Sequence, residues 1–176
     1  MKQVYRFILL IICLALFNIS CCDNRAETQI LETGISELKC SKNVAIAAVK
    51  IASSGLGALL TNIEDETEKI EIIRAFIAPV RFYDDKSGYF YVYDTTCVNI
   101  AHATQLDLVG KDLKDYKDSK GKYVIRELAA MAQTGGGFVK YYWNNPNTST
   151  EDPKIGYVEM IPGTPYFIGD GVYIPK

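Results

Sequence analysis

Helix-forming and strand-forming residues are segregated along this chain, which restricts the fold more than any other feature. From Ala26 to about Val80 the pattern is helical, whereas eleven of the twelve tyrosines follow residue 82 on short alternating runs. Apolar residues at Leu31, Ile35, Leu38, Ala45, Val49, Ala52, Leu56 and Leu59 recur in steps of three and four, or their sum. That spacing predicts one long helix with a single buried stripe. Gly55 and Gly57 weaken its end. A second helix should open around Asn62 to Glu66, capped by Asn62 or Asp65, with acids in its first turn where the helix dipole favours them. Ile70, Ile73, Phe76 and Ile77 form its buried face, and Pro79 should end it by forcing Ala78 out of helical geometry.

Downstream, Tyr89 to Asp94 and Val98 to Ala101 read as a hairpin turning at Thr95-Thr96. Asp107 to Lys122 is a solvated connection whose aspartate spacing does not match a calcium loop. Tyr123 to Gln133 reads as a short helix ended by Gly135. Phe138 to Trp143, Ile155 to Ile161 and Tyr166 to Ile174 complete the strands, with Asn144 to Pro153 as a loose polar loop. Helices grouped first and hairpin-linked strands later predict an α+β fold. In it a long N-terminal helix and a second helix pack on an antiparallel sheet of about five strands. The chain lacks the βαβ alternation of a doubly wound nucleotide-binding protein.

The N-terminus reads as an export signal. Lys2 and Arg6 precede the apolar run Phe7 to Phe17, and the small Ser20 precedes Cys21-Cys22. The run is short of the ~20 residues that a spanning helix needs, although an uncleaved anchor is the alternative. We expect residues 1–20 to be a lipoprotein-type signal peptide, 21–27 a tether and 28–176 one domain. Lipidation would fall on Cys21, or on Cys22, and acyl chains there would hold the domain at a membrane surface. Loss of Lys2 and Arg6 from the 19 basic residues leaves 17 against 21 acidic, a net charge near −4 without a basic patch. Nucleic acid is therefore not an expected partner. Of the remaining cysteines, Cys40 and Cys97 could be bridged after export, or could be small buried residues. No spacing fits zinc, haem or a redox motif, so no metal or cofactor is expected.

Alternation on a strand puts Tyr89, Tyr91 and Tyr93 on one face and Phe90 and Val92 on the other. The apolar face should pack on the long helix, leaving the tyrosine face open to a ligand. Parity likewise joins Tyr141 with Trp143. His102, the only histidine, falls at the end of the neighbouring strand, where an imidazole can donate to a carboxylate and titrates near neutrality. Arg81 is a candidate fork for a carboxylate, or else a rim partner of Asp84 or Asp85. Gly135-Gly136-Gly137 follows a helix, whereas phosphate cradles precede one. No serine or cysteine sits in a nucleophile motif, so an enzyme is not expected.

The order of landmarks from Arg81-Phe82-Tyr83-Asp84-Asp85 and Tyr89-Phe90-Tyr91-Val92-Tyr93 resembles the single Cache domain family of extracytoplasmic sensors. It continues through His102, Gly135-Gly136-Gly137-Phe138, Tyr141 and Trp143 to Gly169-Asp170-Gly171-Val172-Tyr173. The resemblance implies a PAS-like sheet backed by a long helix and a pocket formed by Tyr91, Tyr93, His102, Tyr141 and Trp143, with Arg81 and Tyr157 beside it. It further implies a small carboxylate or amino acid as ligand and a transmembrane receptor or transporter as partner, since the chain ends after the last strand without an output domain. Ala103 stands where relatives have proline after the histidine. The alternative is an envelope lipoprotein with a filled pocket that binds another protein.

Overall fold

The computed structural model describes the backbone of residues 2–174 and the side chains of 29, 30 and 32–174. The expected signal, the lipidation cysteines Cys21 and Cys22, and the tether have side chains outside the described residues. The chain divides into two compact units, residues 1–39 and 40–176. The first is helical throughout its described backbone. Helix α1, Lys2–Leu60, runs from it into the second unit, and the sheet and site lie in that second unit.

Within the second unit α1 buries Ala45, Val49, Ala52, Leu56 and Leu60. The stripe drifts by one residue at its end, since Leu59 is exposed and Leu60 takes the terminal buried place; Ile35, in the first unit, is exposed. Ser53 Oγ donates to the Met160 carbonyl at 2.9 Å, and Gly57 lets the helix approach Pro162. Helix α2, Glu66–Ile77, is capped by Asp65, whose Oδ1 accepts from the Glu68 N–H at 3.0 Å. It stops before Pro79, yet Ala78 keeps helical dihedrals (φ −55°, ψ −46°) and donates to the Arg74 carbonyl. The expectation for Ala78 is thus corrected. What ends the helix is the missing proline N–H and its ring, not the residue before it.

The sheet is antiparallel throughout, in the order β2-β1-β5-β4-β3. Its strands are β1 Tyr91–Asp94, β2 Asn99–His102, β3 Gly137–Asn144, β4 Glu151–Met160 and β5 Tyr166–Tyr173. Helix α3, Val124–Gln133, precedes β3 and buries Val124, Ile125, Leu128, Ala129 and Ala132. It ends where Gly136 donates back to the Met131 carbonyl, with Gly135 and Gly136 at positive φ. Thus α1 and α2 cover one face of the sheet and α3 the other. Strand β4 begins earlier than expected, at Glu151, because residues 151–158 pair with the whole of β3. That extension brings Lys154 into the sheet.

Of the two readings of Cys40 and Cys97, the bridge is not formed. Cys40 is exposed on α1 and Cys97 is buried in the turn between β1 and β2, and both thiols are free.

An aromatic cage beside a buried lysine

Strand pairing sets the site. Tyr91 lies opposite His102 on β2 and Gly169 on β5, and Tyr93 lies opposite Asn99 and Phe167. Paired residues point to the same face, so the tyrosines share it with His102. From the far strand β3, Tyr141 and Trp143 point to this face too. Tyr91, Tyr93, His102, Tyr141 and Trp143 then surround one void, roofed by Ile125 and Leu128 of α3. The void is about 10 Å³, room for about one water.

The rings are in mutual contact. His102 stacks against Trp143 at 6.4 Å and Tyr91 at 6.2 Å, and Tyr141 meets Trp143 edge-on at 6.2 Å. The Tyr91 and Tyr141 hydroxyls touch at 3.3 Å. Burial pushes both hydroxyl pKa values well up, so both keep their protons. Trp143 Nε1 donates to Gln105 Oε1 at 2.7 Å, which fixes the indole against the loop after β2. Tyr93 Oη and both ends of the Asn99 carboxamide are buried without a hydrogen-bond partner. Burial raises the Tyr93 hydroxyl pKa, and the Asn99 side chain beside it works against that rise.

His102 behaves differently from its expectation. Its Nδ1 accepts the Gln105 N–H at 3.0 Å, so the neutral ring carries its proton on Nε2. Burial first, then Lys154 and Arg81, push its pKa down to about 3. The imidazole is thus a neutral donor at physiological pH, not a group titrating near neutrality.

Two expected residues are not in the cage. Arg81 spends its guanidinium on main-chain carbonyls, those of Ala103, Val80 (2.6 Å) and Ala78 (3.1 Å), and so braces the turn after His102. The alternative rim pair with Asp84 or Asp85 is not formed. Tyr157 lies on the opposite face, because it pairs with Phe138 and Asp170, and its Oη donates to Glu159 Oε1 at 2.7 Å.

Lys154 is the group that sequence reasoning missed. It is 1% exposed, on the cage face of β4, with Nζ 4.0 Å from the Tyr89 ring centre and 4.4 Å from that of Tyr173. Nζ donates to Tyr173 Oη at 3.4 Å. Among the described residues no carboxylate oxygen lies within 4.0 Å of it. Tyr89 in turn sits 5.2 Å from His102, so the cation is one ring away from the cage. Parity with Gly156 was the available signal. It is usable only if β4 is known to start before Pro153.

A neutral imidazole N–H, protonated tyrosine hydroxyls and a buried cation suit an anion with a small apolar body better than they suit catalysis. The comparisons with known proteins agree in class. The Cache domain family matches residues 26–176, and the chain belongs to that family. Cache domains are extracytoplasmic sensor modules that bind small ligands and are not themselves catalysts. Among relatives, the chain is 31% identical over 148 residues to the sensor histidine kinase MctS of Rhizobium johnstonii, covering 84% of this chain and 30% of that protein. It is 29% identical over 110 residues to the methyl-accepting chemotaxis protein McpP of Pseudomonas putida, covering 62% and 19% respectively. The chain thus spans under a third of either relative's length. A methyl-accepting chemotaxis protein from Vibrio parahaemolyticus superimposes with TM-score 0.72 at 27% identity, over 83% of this chain and 97% of that one. A Cache chemosensory domain described for carboxylic acid recognition does so with TM-score 0.70 at 25% identity, over 80% and 97%.

Proposed function

We propose that this Cache domain senses a short organic carboxylate, held between the Tyr91, Tyr93, His102, Tyr141 and Trp143 cage and the Lys154 cation. The observation that carries this reading is Lys154. A cation removed from water costs several kcal/mol unless it is compensated, and two aromatic faces return only about 1–2 kcal/mol each. A ligand carboxylate would complete the compensation. His102 Nε2 and the tyrosine hydroxyls would supply directed donors, and Trp143, Ile125 and Leu128 an apolar wall for a short chain. The likeness to a domain described for carboxylic acid recognition supports the same class. In this proposal the domain is exported and held at a membrane by acyl groups on Cys21, or Cys22. Its bound state feeds a signalling output, as the kinase and chemotaxis relatives suggest.

One observation favours a second reading. The void holds about one water, which suits an envelope protein whose pocket is filled and whose role is to bind another protein. A thermal-shift series with acetate, propionate and butyrate, against ethylamine and propylamine as cationic controls, separates the two. Saturation at about a hundredfold over the dissociation constant contributes about 2.7 kcal/mol, or about 8 °C in midpoint for a domain of this size. A rise for the acids and none for the amines supports sensing. No rise for any acid leaves the filled-pocket reading.

A further inference from the structure

Asp170 is fully buried on β5, on the face toward α1, and no part of the ligand reading uses it. Its Oδ1 accepts the Tyr89 N–H at 3.3 Å and its Oδ2 accepts the Tyr83 hydroxyl at 3.2 Å. Tyr83 Oη also lies 3.1 Å from the Ser41 carbonyl on α1. The tyrosine has one hydroxyl proton facing two acceptors. While Asp170 is ionised, carboxylate and helix carbonyl compete for that proton. Once Asp170 is protonated it donates to Tyr83 Oη, and the tyrosine proton passes wholly to Ser41. Tyr83 is held there by a backbone at φ 63°, which a bulky residue adopts only under constraint. The Lys86 N–H donates to the Tyr83 carbonyl at 3.0 Å and fixes that turn.

Around Asp170 stand Tyr83 in the turn before β1, the Tyr89 N–H just before β1, the Gly171 N–H on its own strand, Tyr157 opposite it on β4 and, beyond Tyr83, the Ser41 carbonyl of α1, while Lys154 acts on it electrostatically through the sheet from the other face. Lys154 is the only charged side chain among them. We propose that binding of a carboxylate beside Lys154 is coupled to uptake of one proton by Asp170, and that this proton locks Tyr83 onto the Ser41 carbonyl of α1. This rests on the carboxylate reading of the cage. The bound anion cancels the field through which Lys154 keeps Asp170 ionised, and the proton comes from solvent. Burial already holds the Asp170 pKa at about 7, against the pull of Lys154 and three hydrogen bonds, so a small change in field alters its charge. Ser41 lies two residues from the end of the first unit, at the point where α1 leaves the sheet domain.

The test is calorimetry at about pH 7.5, with whichever of acetate, propionate or butyrate gives the largest midpoint shift. It is run in phosphate and in Tris, whose ionisation enthalpies differ. The wild-type heat should change with buffer by an amount corresponding to uptake of about half a proton or more per acid bound. Asp170→Asn, which keeps a donor toward Tyr83, should bind the acid with no buffer dependence. Hydrogen exchange gives a readout that does not depend on that variant folding. Added acid should slow exchange in residues 41–49 of the wild type, and not in Tyr83→Phe. Binding with buffer-independent heat in the wild type overturns the coupling. Uptake that persists in Asp170→Asn also overturns it, by placing the proton elsewhere, such as His102. An absence of binding to the wild type sinks the carboxylate reading itself and the coupling with it, and is recognised by the lack of heat in either buffer.

Discussion

Replacing Lys154 with Met removes the charge and keeps most of the stem that packs on Gly171. In the acid-free protein this should be neutral or stabilising. Lost are two ring contacts worth about 1–2 kcal/mol each, a long hydrogen bond worth about 0.5 kcal/mol and the attraction to Asp170, which takes up a proton once that pull is gone. Removed with them is a desolvation cost of several kcal/mol for a cation that has no carboxylate in contact. The balance lies between about 0 and +2 kcal/mol, or 0 to about +6 °C in midpoint. Bound acid should show the opposite sign. Truncating one partner of a buried charged pair costs about 2–5 kcal/mol, a fall of about 30- to 5000-fold in affinity. At an acid concentration giving the wild type about 2.7 kcal/mol, the variant should gain less than about 1 kcal/mol. Differential scanning fluorimetry with and without propionate reads both arms. A variant that melts more than about 6 °C below the wild type, yet keeps the full acid shift, would show Lys154 to be a structural cation and would refute the reasoning.

Gly169→Ala places a methyl 2.6 Å from the Tyr91 ring, so it should destabilise by about 1–3 kcal/mol in urea melts and abolish the acid shift. Tyr157→Phe should leave acid affinity within about twofold by calorimetry, because that ring lies on the α1 face and only its bond to Glu159 is lost. His102 binds its proton at about 3 in the fold against an ordinary 6.5, so between those values stability rises with pH by up to about 1.4 kcal/mol per unit, while Asp170, at about 7 against 3.8, keeps its proton in the fold and gives the opposite slope. Urea stability of the wild type should therefore be nearly flat from pH 4 to 6.5, with Asp170→Asn rising and His102→Gln falling across that window.

The cage was readable because its information has period two. Tyr89, Tyr91 and Tyr93 alternate with Phe90 and Val92 in the sequence, and Tyr141 alternates with Tyr142 before Trp143. Strand parity alone therefore places the rings on one face. What parity cannot supply is the register between strands. The same rule makes Tyr157 a partner of Phe138 on the wrong face and Lys154 a neighbour of Gly156 on the right one, and only the pairing of β4 with β3 separates them. Lys154 also follows Pro153, which suggests a loop, and lysine is rarely buried. The partners of Arg81 are hidden in the sequence for a related reason. A forked cation near a cage suggests a carboxylate, but the carbonyls of Ala78, Val80 and Ala103 that engage it are invisible until the chain has turned. On α1, a one-residue drift from Leu59 to Leu60 follows from 3.6 residues per turn accumulating along a long helix.

The size of the void limits what the site can accept, and the glycines show where any expansion must come from. On the cage face, Gly156, Gly169 and Gly171 present bare backbone, with Tyr91 and Tyr141 lying over the first two and Lys154 over the third. A Cβ at Gly156 would stand 2.8 Å from Tyr141 Oη and 2.9 Å from Tyr91 Oη. The floor is therefore already as low as a polypeptide allows and cannot recede further. An acid larger than one water must separate the Tyr91 and Tyr141 hydroxyls, now 3.3 Å apart, or raise Ile125 and Leu128. The tyrosine route costs one neutral hydrogen bond, about 1 kcal/mol, and the acid's own oxygens replace it. The roof route moves α3, whose N-cap has no side-chain bond and whose C-terminal exit passes through Gly135, Gly136 and Gly137, all at positive φ. Each added methylene therefore lifts α3 further, whereas the hydroxyl exchange is complete with the first carboxylate. Affinity along a series of lengthening acids should rise by less than the ~0.8 kcal/mol per methylene of free burial, and then fall once the roof no longer closes.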